Sequence, residues 1–145
     1  MASTTTTTFA SPNTAVLLRT RALAVAGALV ANVALWITEV PVLGLHLNIR
    51  FGTAPAQTIA VGFVIGATFF ASLLGWALLA ALERRTPRAR TIWTVAALVV
   101  LATSLSLPLS AGVAVSTKIA LVLMHLTTAA VLIPALRAAS PSNAI

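Results

Sequence analysis

Four long runs of apolar residues, separated by short polar or proline-containing connections, dominate the pattern of the chain. The runs cover about residues 20–39, 58–82, 91–109 and 117–136. Each run has about the 20 residues that an α-helix needs to cross the ~30 Å hydrocarbon core of a bilayer. The pattern therefore predicts four membrane-spanning helices within a membrane domain of residues 16–138.

The two ends of the chain differ from this domain in their residue types. Residues 1–15 are rich in Ser and Thr, and residues 139–145 are small and polar. Such segments have little apolar surface to bury, so we expect a disordered N-terminal tail and a short C-terminal tail. Arg19 and Arg21 before the first run are also typical of a cleaved secretory signal. The run continues past the small residues at 31–34, which favours an uncleaved first span.

The longest connection, residues 41–57, contains two Gly and two Pro. Apolar residues alternate with polar ones from Leu43 to Phe51, which is typical of an extended segment with one apolar face. The segment is too short and too interrupted to cross a membrane alone. We expect a loop that lies on the membrane surface or covers one end of the helix bundle.

Between the second and third runs lies a basic turn, residues 82–91, with four arginines: Arg84, Arg85, Arg88 and Arg90. With a cytoplasmic N-terminus, seven basic residues lie inside and two lie outside. The seven are Arg19, Arg21, Arg84, Arg85, Arg88, Arg90 and Arg137, and the two are Arg50 and Lys118. Because Lys and Arg concentrate in cytoplasmic loops, both termini are expected on the cytoplasmic side of the membrane. The fold expected is an all-α, up-down-up-down four-helix transmembrane bundle.

Composition agrees with a membrane location. Of the 145 residues, 59% are hydrophobic and only 8% are charged, whereas soluble proteins carry about 25% charged residues. The net charge of +7 comes from bases beside the apolar runs, which indicates anionic lipid head groups at the basic turn rather than nucleic acid. The chain has no Cys, so thiolate catalysis and thiolate metal ligands are excluded.

The second run carries small residues at intervals of four or five positions: Gly62, Gly66, Ala71 and Gly75. Small residues on one helix face let two helix backbones approach closely inside a membrane. This face is predicted to pack against another helix, in the same chain, in a homodimer or in a partner membrane protein.

Five polar residues in or near the spans form the candidate site: Asn32, Glu39, Lys118, His125 and Thr128. Asn32 and Glu39 are seven residues apart, as are Lys118 and His125, so each pair shares one helix face. Thr128 extends the polar stripe of Lys118 and His125 by one turn. If the first and fourth spans are neighbours, Glu39 would meet Lys118 near the outer end, and Asn32 would meet His125 near mid-depth. Ionisable residues inside a membrane normally face the bundle interior and mark function. The alternatives are a Glu39 at the outer interface, solvated or paired with Lys118 or Arg50, and a neutral core His125 bonded to Asn32 or to a hydroxyl.

No pattern indicates a cofactor, a metal or a catalytic group. His46 and His125 belong at different depths, and two His with one Glu at unrelated spacings do not make a metal site. There is no phosphate-binding glycine loop and no Ser-His-Asp order. The sequence favours a protein that is not an enzyme.

Several short segments are similar to a known family. They are Gly75-Trp-Ala-Leu-Leu79, Glu83-Arg-Arg-Thr-Pro-Arg-Ala-Arg90, Trp93-Thr94, Met124-His-Leu126 and Ala130-Val-Leu-Ile-Pro134. With them, the stretch from Arg21 to Arg137 resembles a group of small four-span membrane proteins of unknown function from actinobacteria. The resemblance implies the fold and an actinobacterial plasma membrane, and it implies no activity.

Three functions are compatible with these observations. The first is a binding or accessory membrane subunit. The second is a small proton-coupled transporter or channel that uses Glu39 and His125. The third is an intramembrane enzyme, with His125 as acid or base, that acts on a lipid or a quinone.

Overall fold

The computed structural model describes residues 12–140, with side chains described from Thr14 onward. Four helical segments in this part of the chain are long and apolar enough to cross a membrane: Thr14–Val42, Val61–Glu83, Ala89–Ala111 and Val115–Ala138. This confirms the predicted all-α four-helix transmembrane bundle. The predicted tails, residues 1–15 and 139–145, lie largely outside the described residues.

The first span consists of helix α1, Pro12–Ile37, and a π-helical turn, Thr38–Val42. Pro41 explains the wider turn, because proline has no N–H to donate to the carbonyl four residues earlier. The backbone compensates after the proline: the Leu43 N–H donates to the Thr38 carbonyl, five residues back, at 3.0 Å. This turn places Glu39 at the end of the span.

Residues 43–60, here called the cap, cover one end of the bundle. Their strands β1, Asn48–Ile49, and β2, Gln57–Thr58, pair antiparallel with Asn48 opposite Thr58. Gly44 and Gly52 adopt positive φ angles of 66° and 55°, which glycine tolerates because it has no Cβ. The cap conformation follows from these two turns and one strand pair.

The cap is fixed to the bundle by backbone hydrogen bonds and by buried apolar side chains. The Arg50 N–H donates to the Ala111 carbonyl at 2.8 Å, and the Val113 N–H donates to the Asn48 carbonyl at 3.0 Å. Leu47 and Ile59 of the cap are 1% and 6% exposed, and both belong to the apolar cluster at this end of the bundle. We call this end of the molecule the cap end and the opposite end, with the basic turn, the turn end.

The second span is helix α2, Val61–Glu83, and the third is divided into helices α3, Ala89–Ser104, and α4, Ser106–Ala111. Pro108 lies in the first turn of α4, where a missing N–H costs least. The hydroxyl of Thr103 donates to the Val99 carbonyl at 2.9 Å, so this polar side chain is satisfied within its own helix.

The fourth span is helix α5, Val115–Ala138. Helix α1 packs against α2 and α5, and α3 packs against the same two helices from the other side. The bundle has two apolar clusters. The cluster towards the turn end comprises Ala24, Ala28, Leu79, Trp93, Leu132 and Leu136. The cluster towards the cap end comprises Leu47, Ile59, Val64, Ala120, Leu121 and Met124.

The four spans are not equally buried. In the first and fourth spans, 28% of the most apolar stretch is buried inside the protein. In the third span, the buried share of this stretch is 11%. Helix α3 is therefore the most loosely packed part of the bundle, and a cavity lies between it and its neighbours.

Candidate functional site

Asn32 lies at the centre of a polar cluster that connects three helices near the middle of the bundle. Its side chain is 1% exposed. The amide Nδ2 donates to Thr68 Oγ1 on α2 at 3.1 Å and to Thr128 Oγ1 on α5 at 2.6 Å. These contacts tie α1 to both of its neighbours.

The orientation of the Asn32 amide is fixed by Thr128. The Thr128 hydroxyl donates its only hydrogen to the Met124 carbonyl at 3.0 Å, so Thr128 Oγ1 must accept from Asn32. The atom that faces Thr128 is therefore the amide nitrogen, which donates, and not the carbonyl oxygen. Asn32 Oδ1 is buried and has no hydrogen-bond partner, which leaves one unused acceptor in the cluster.

His125 lies one helical turn before Thr128 on α5. Its Nδ1 is 2.7 Å from the Leu121 carbonyl oxygen. A carbonyl only accepts, so Nδ1 carries a proton, and in the neutral imidazole the second nitrogen, Nε2, is then an acceptor. The predicted meeting of Asn32 with His125 is replaced by a bond to Thr128, the next residue of the same polar stripe.

An apolar cavity of about 510 Å³ lies between α2, α3 and α5, within the size range of small-molecule binding sites. Asn32, Thr68, Ser104, His125 and Thr128 supply its polar side chains. Most of the remaining wall is aliphatic or aromatic. At one wall, Trp93 Nε1 donates to the Gly75 carbonyl at 2.8 Å, which joins α3 to α2.

The cavity opens on the outside of the bundle. Phe63 and Leu74 line it and are 62% and 70% exposed. Met124 also lines it but is only 6% exposed. The wall therefore extends from the outer surface of the bundle to buried positions beside Asn32.

Glu39 is set apart from this cavity. Its side chain is 4% exposed, and neither carboxylate oxygen has a hydrogen-bond partner in the part of the chain that the structure describes. Within the described part of the chain, Glu39 pairs with neither Lys118 nor Arg50, the two alternative partners that the sequence offered, and it is not among the residues that line the cavity. Of the predicted polar site, the structure brings Asn32, His125 and Thr128 together and leaves Glu39 and Lys118 outside.

A second polar cluster, which the sequence reasoning missed, joins the helices at the turn end. One Arg21 Nη donates to both carboxylate oxygens of Glu83, at 2.6 and 2.8 Å, and to the Ala139 carbonyl at 3.1 Å. The Ser140 hydroxyl donates to Glu83 at 2.6 Å, and Arg90 donates to the Ser140 carbonyl. We call these residues the turn-end network. The opposite charges of Arg21 and Glu83, at the same predicted membrane face, were the available signal.

The basic turn borders a separate cavity of about 620 Å³ at the turn end. Exposed Arg84, Arg85 and Arg88 line it, together with Arg90 and Ser140. These four arginines, selected from the sequence for topology, thus surround one polar recess.

The predicted helix-packing face of α2 is divided between two environments. A Cβ added at Gly62 or Gly66 would meet nothing within 4 Å, whereas one at Gly75 would lie 3.8 Å from Trp93. Ala71 lines the apolar cavity. The buried side of α2 is instead formed by Val64, Thr68, Ser72 and Leu79. Thr68 and Ser72, four residues apart, were the missed polar signal on this helix.

Among the described residues, no group of three or more His, Cys, Asp or Glu side chains could hold a metal ion. The polar groups at the cavity are amide, imidazole and hydroxyl groups. Such groups donate and accept hydrogen bonds, and they suit an uncharged ligand.

The fold and this site define a class: a small multi-pass membrane protein with an apolar cavity between three of its helices. A family model described as a family of unknown function, DUF6069, matches residues 12–142, and the chain belongs to that family. This agrees with the resemblance to a four-span family of unknown function. No curated protein and no solved structure matches the chain.

Proposed function

We propose that this protein is a membrane-embedded binding protein that holds an apolar, membrane-dissolved molecule in the cavity between α2, α3 and α5. The observation that carries the proposal is the cavity itself, with its apolar wall and a few polar groups around Asn32. Apolar walls with a small number of placed polar groups are typical of ligand sites.

The position of the cavity suits a molecule that comes from the bilayer. Exposed Phe63 and Leu74 border it, so an alkyl chain would reach it sideways without crossing a polar surface. The wall on α3 extends from Trp93 to Ser104, about 16 Å at 1.5 Å per residue. That length is about half of a bilayer's hydrocarbon thickness of ~30 Å.

The loose packing of α3 supports reversible binding. Little of α3 is buried against the other helices, so α3 is free to move towards or away from them as a ligand leaves or enters. A chain molecule that fills the cavity would restore the dispersion contacts that its wall lacks. Binding is therefore expected to stabilise the folded protein.

Transport and catalysis receive less support from the same geometry. Glu39 and His125 do not share the cavity, and the described residues that line it include no carboxylate. A binding or accessory role requires only the cavity, so we place it first.

The test uses a long-chain diazirine probe in proteoliposomes, followed by mass spectrometry of the labelled peptides. Met124 is buried but lines the cavity, so its labelling reports entry into the cavity rather than contact with bulk lipid. Ala71→Phe fills the cavity and should reduce Met124 labelling about tenfold, the effect of a ~1.4 kcal/mol loss of binding free energy.

Ala77→Phe is the matched control for this variant. Ala77 is on the same helix and is exposed, but it does not line the cavity. Labelling of Met124 should be unchanged in Ala77→Phe. Equal labelling in both variants, or no labelling of Met124 in the natural protein, would contradict the proposal.

We further propose that the turn end faces the cytoplasm of a bacterial plasma membrane, as the resemblance to actinobacterial proteins implies. The contacts of Arg21 with Glu83 and Ala139 support a common end for the N-terminal part of α1, the basic turn and the end of α5. The excess of seven basic residues over two favours the cytoplasmic side for that end.

Single cysteines test this orientation, because the natural chain has none. Ala54→Cys in the cap and Ala138→Cys at the end of α5 are both exposed positions. In intact cells an impermeant maleimide should label the first and not the second. The reverse pattern would overturn the orientation.

The partners expected from the sequence are also proposals. Exposed Arg84, Arg85 and Arg88 around the turn-end cavity would attract anionic lipid head groups, each contributing about 1 kcal/mol. The open space at Gly62 and Gly66 would admit a second copy of α2. Vesicle binding with and without anionic lipid, and cross-linking of a Gly66→Leu variant, test these two partners.

A further inference from the structure

We infer that the molecule held in the apolar cavity is a hydroxyl donor: a long-chain alcohol or phenol whose O–H donates a hydrogen bond to Asn32 Oδ1. The inference rests on the proposed binding function and adds the chemical class of the ligand. It follows from which hydrogen-bonding groups on the cavity wall are already used and which are free.

The donors on the cavity wall are already committed to protein acceptors. Both bonds from Asn32 Nδ2 go to threonine hydroxyls, and the His125 Nδ1 proton goes to the Leu121 carbonyl. The hydroxyls of Thr128 and Ser104 donate to the carbonyls of their own helices, at 3.0 and 2.8 Å.

The remaining donors do not change this balance. Trp93 Nε1 donates to the Gly75 carbonyl at 2.8 Å. Thr68 Oγ1 accepts from Asn32, and the Thr68 hydroxyl hydrogen is the exception that has no assigned acceptor. The wall therefore offers a ligand at most one side-chain donor.

The acceptors, in contrast, are free. Asn32 Oδ1 is a buried amide oxygen without a partner, on a side chain that is 1% exposed. His125 Nε2 has a lone pair in the tautomer that the Leu121 carbonyl imposes. Both side chains line the cavity. A hydroxyl group that enters beside them supplies the hydrogen that this cluster lacks.

A cavity wall with free acceptors and few free donors discriminates between ligands of similar shape. An alcohol or hydroquinone can satisfy a free acceptor, whereas an ether, ester or quinone oxygen would meet another lone pair. Leaving a buried acceptor unpaired costs more than a made hydrogen bond gains. We expect hydroxyl ligands to bind about tenfold more tightly than analogues without the hydrogen.

Two matched ligand pairs test the inference on the natural protein. The first pair is a long-chain alkyl alcohol and its methyl ether, and the second is an alkyl hydroquinone and the corresponding quinone. Each compound competes with the diazirine probe, and the concentration that halves Met124 labelling is measured. The hydroxyl member of a pair should compete about tenfold better. The pair with the larger ratio shows whether the ligand is an aliphatic alcohol or a phenol.

Equal competition within both pairs would overturn the inference and leave the proposed function standing, because the chain would still enter the cavity. Failure of the probe to label Met124 at all would remove both. In Asn32→Leu, the two compounds of each pair should compete equally well, so that the ratio of their half-inhibitory concentrations falls towards one. Ser72→Ala is the matched control, because Ser72 is buried beside Thr68 but does not line the cavity, and its ratio should stay unchanged.

Discussion

The protein has two buried polar clusters that differ in how completely their groups are paired. In the turn-end network, both carboxylate oxygens of Glu83 accept from Arg21, and Ser140 adds a further donor. In the Asn32 cluster, the side-chain amide nitrogen donates hydrogen bonds to Thr68 and Thr128, but the amide oxygen Oδ1 accepts none. Among the described residues, Arg90 Nε is the one buried side-chain atom of the first cluster without a partner, and the second cluster lies beside a cavity.

This difference in pairing indicates that the two clusters serve different roles, one in stability and one in binding. A paired cluster that joins Arg21 of α1 and residues 139–140 after α5 to the basic turn holds the helices together, and it offers a ligand little. An unpaired acceptor beside a cavity costs stability in the empty protein, and a ligand with a donor removes that cost. Under the proposed binding function, we therefore expect the turn-end network to serve the stability of the fold and the Asn32 cluster to serve ligand binding.

Removal of Arg21 should have the largest effect. Arg21→Ala leaves the Glu83 carboxylate, whose side chain is only 20% exposed, without its cation. Breaking a buried pair from one side costs about 3 kcal/mol of unfolding free energy, which denaturant unfolding in detergent would measure. Arg19→Ala removes the same side chain from an exposed position and should change stability little. Equal losses in the two variants would contradict a structural role for the network.

The Asn32→Leu variant should lose little stability and much of its affinity for the ligand. Hydrogen bonds between membrane helices contribute about 0.6 kcal/mol on average, so the loss of unfolding free energy should be modest. The affinity for a hydroxyl ligand should fall about tenfold. If Asn32→Leu destabilised the protein as much as Arg21→Ala while ligand affinity stayed constant, the comparison would be reversed.

Ser140→Ala should have an intermediate effect confined to stability. It removes one hydrogen bond to the Glu83 carboxylate, worth about 1 kcal/mol, and calorimetric unfolding should show that loss with ligand binding unchanged. Ser110→Ala removes a hydroxyl that is exposed and bonds within its own helix, so it serves as the control. A change in ligand affinity in Ser140→Ala would couple the two clusters, against our assignment.

The smallest effect is expected for Thr128→Val. One Asn32 N–H loses its acceptor, at about 0.6 kcal/mol, and the amide becomes free to turn. Thr127→Val, the neighbouring change outside the cavity wall, should preserve both stability and the preference for hydroxyl ligands. Thr128→Val should weaken that preference, and an unchanged preference would show that Thr128 does not set the amide orientation.

The architecture could be predicted from the sequence because the length and apolar character of the four runs determine it. Pro41 and Pro108 lie near the ends of the first and third spans, where the structure has a π-helical turn and a separate short helix. The cap could not be derived in detail, since its strand pair depends on a two-residue register and on contacts with Ala111 and Val113. Such long-range contacts leave no periodic signal.

The candidate site was predicted only in part, because its contacts also join residues that are far apart in the sequence. Helical spacing put Asn32 on one face and His125 and Thr128 on another, but the vertical offset between α1 and α5 decides which residues meet. The offset places Asn32 beside Thr128 and not in a bond to His125. The role of Thr68 was missed because a single hydroxyl in an apolar helix normally bonds to its own backbone.

The central claim is that Asn32 Oδ1 receives a hydrogen bond from the ligand, and infrared difference spectroscopy measures this directly. The protein is prepared with ¹³C in the side-chain carbonyl of its four asparagines, and Asn32→Leu identifies the band of Asn32. We predict that saturating long-chain alcohol shifts this carbonyl band to lower wavenumber and that the methyl ether does not. A band that stays in place while Met124 labelling is fully competed would contradict the account.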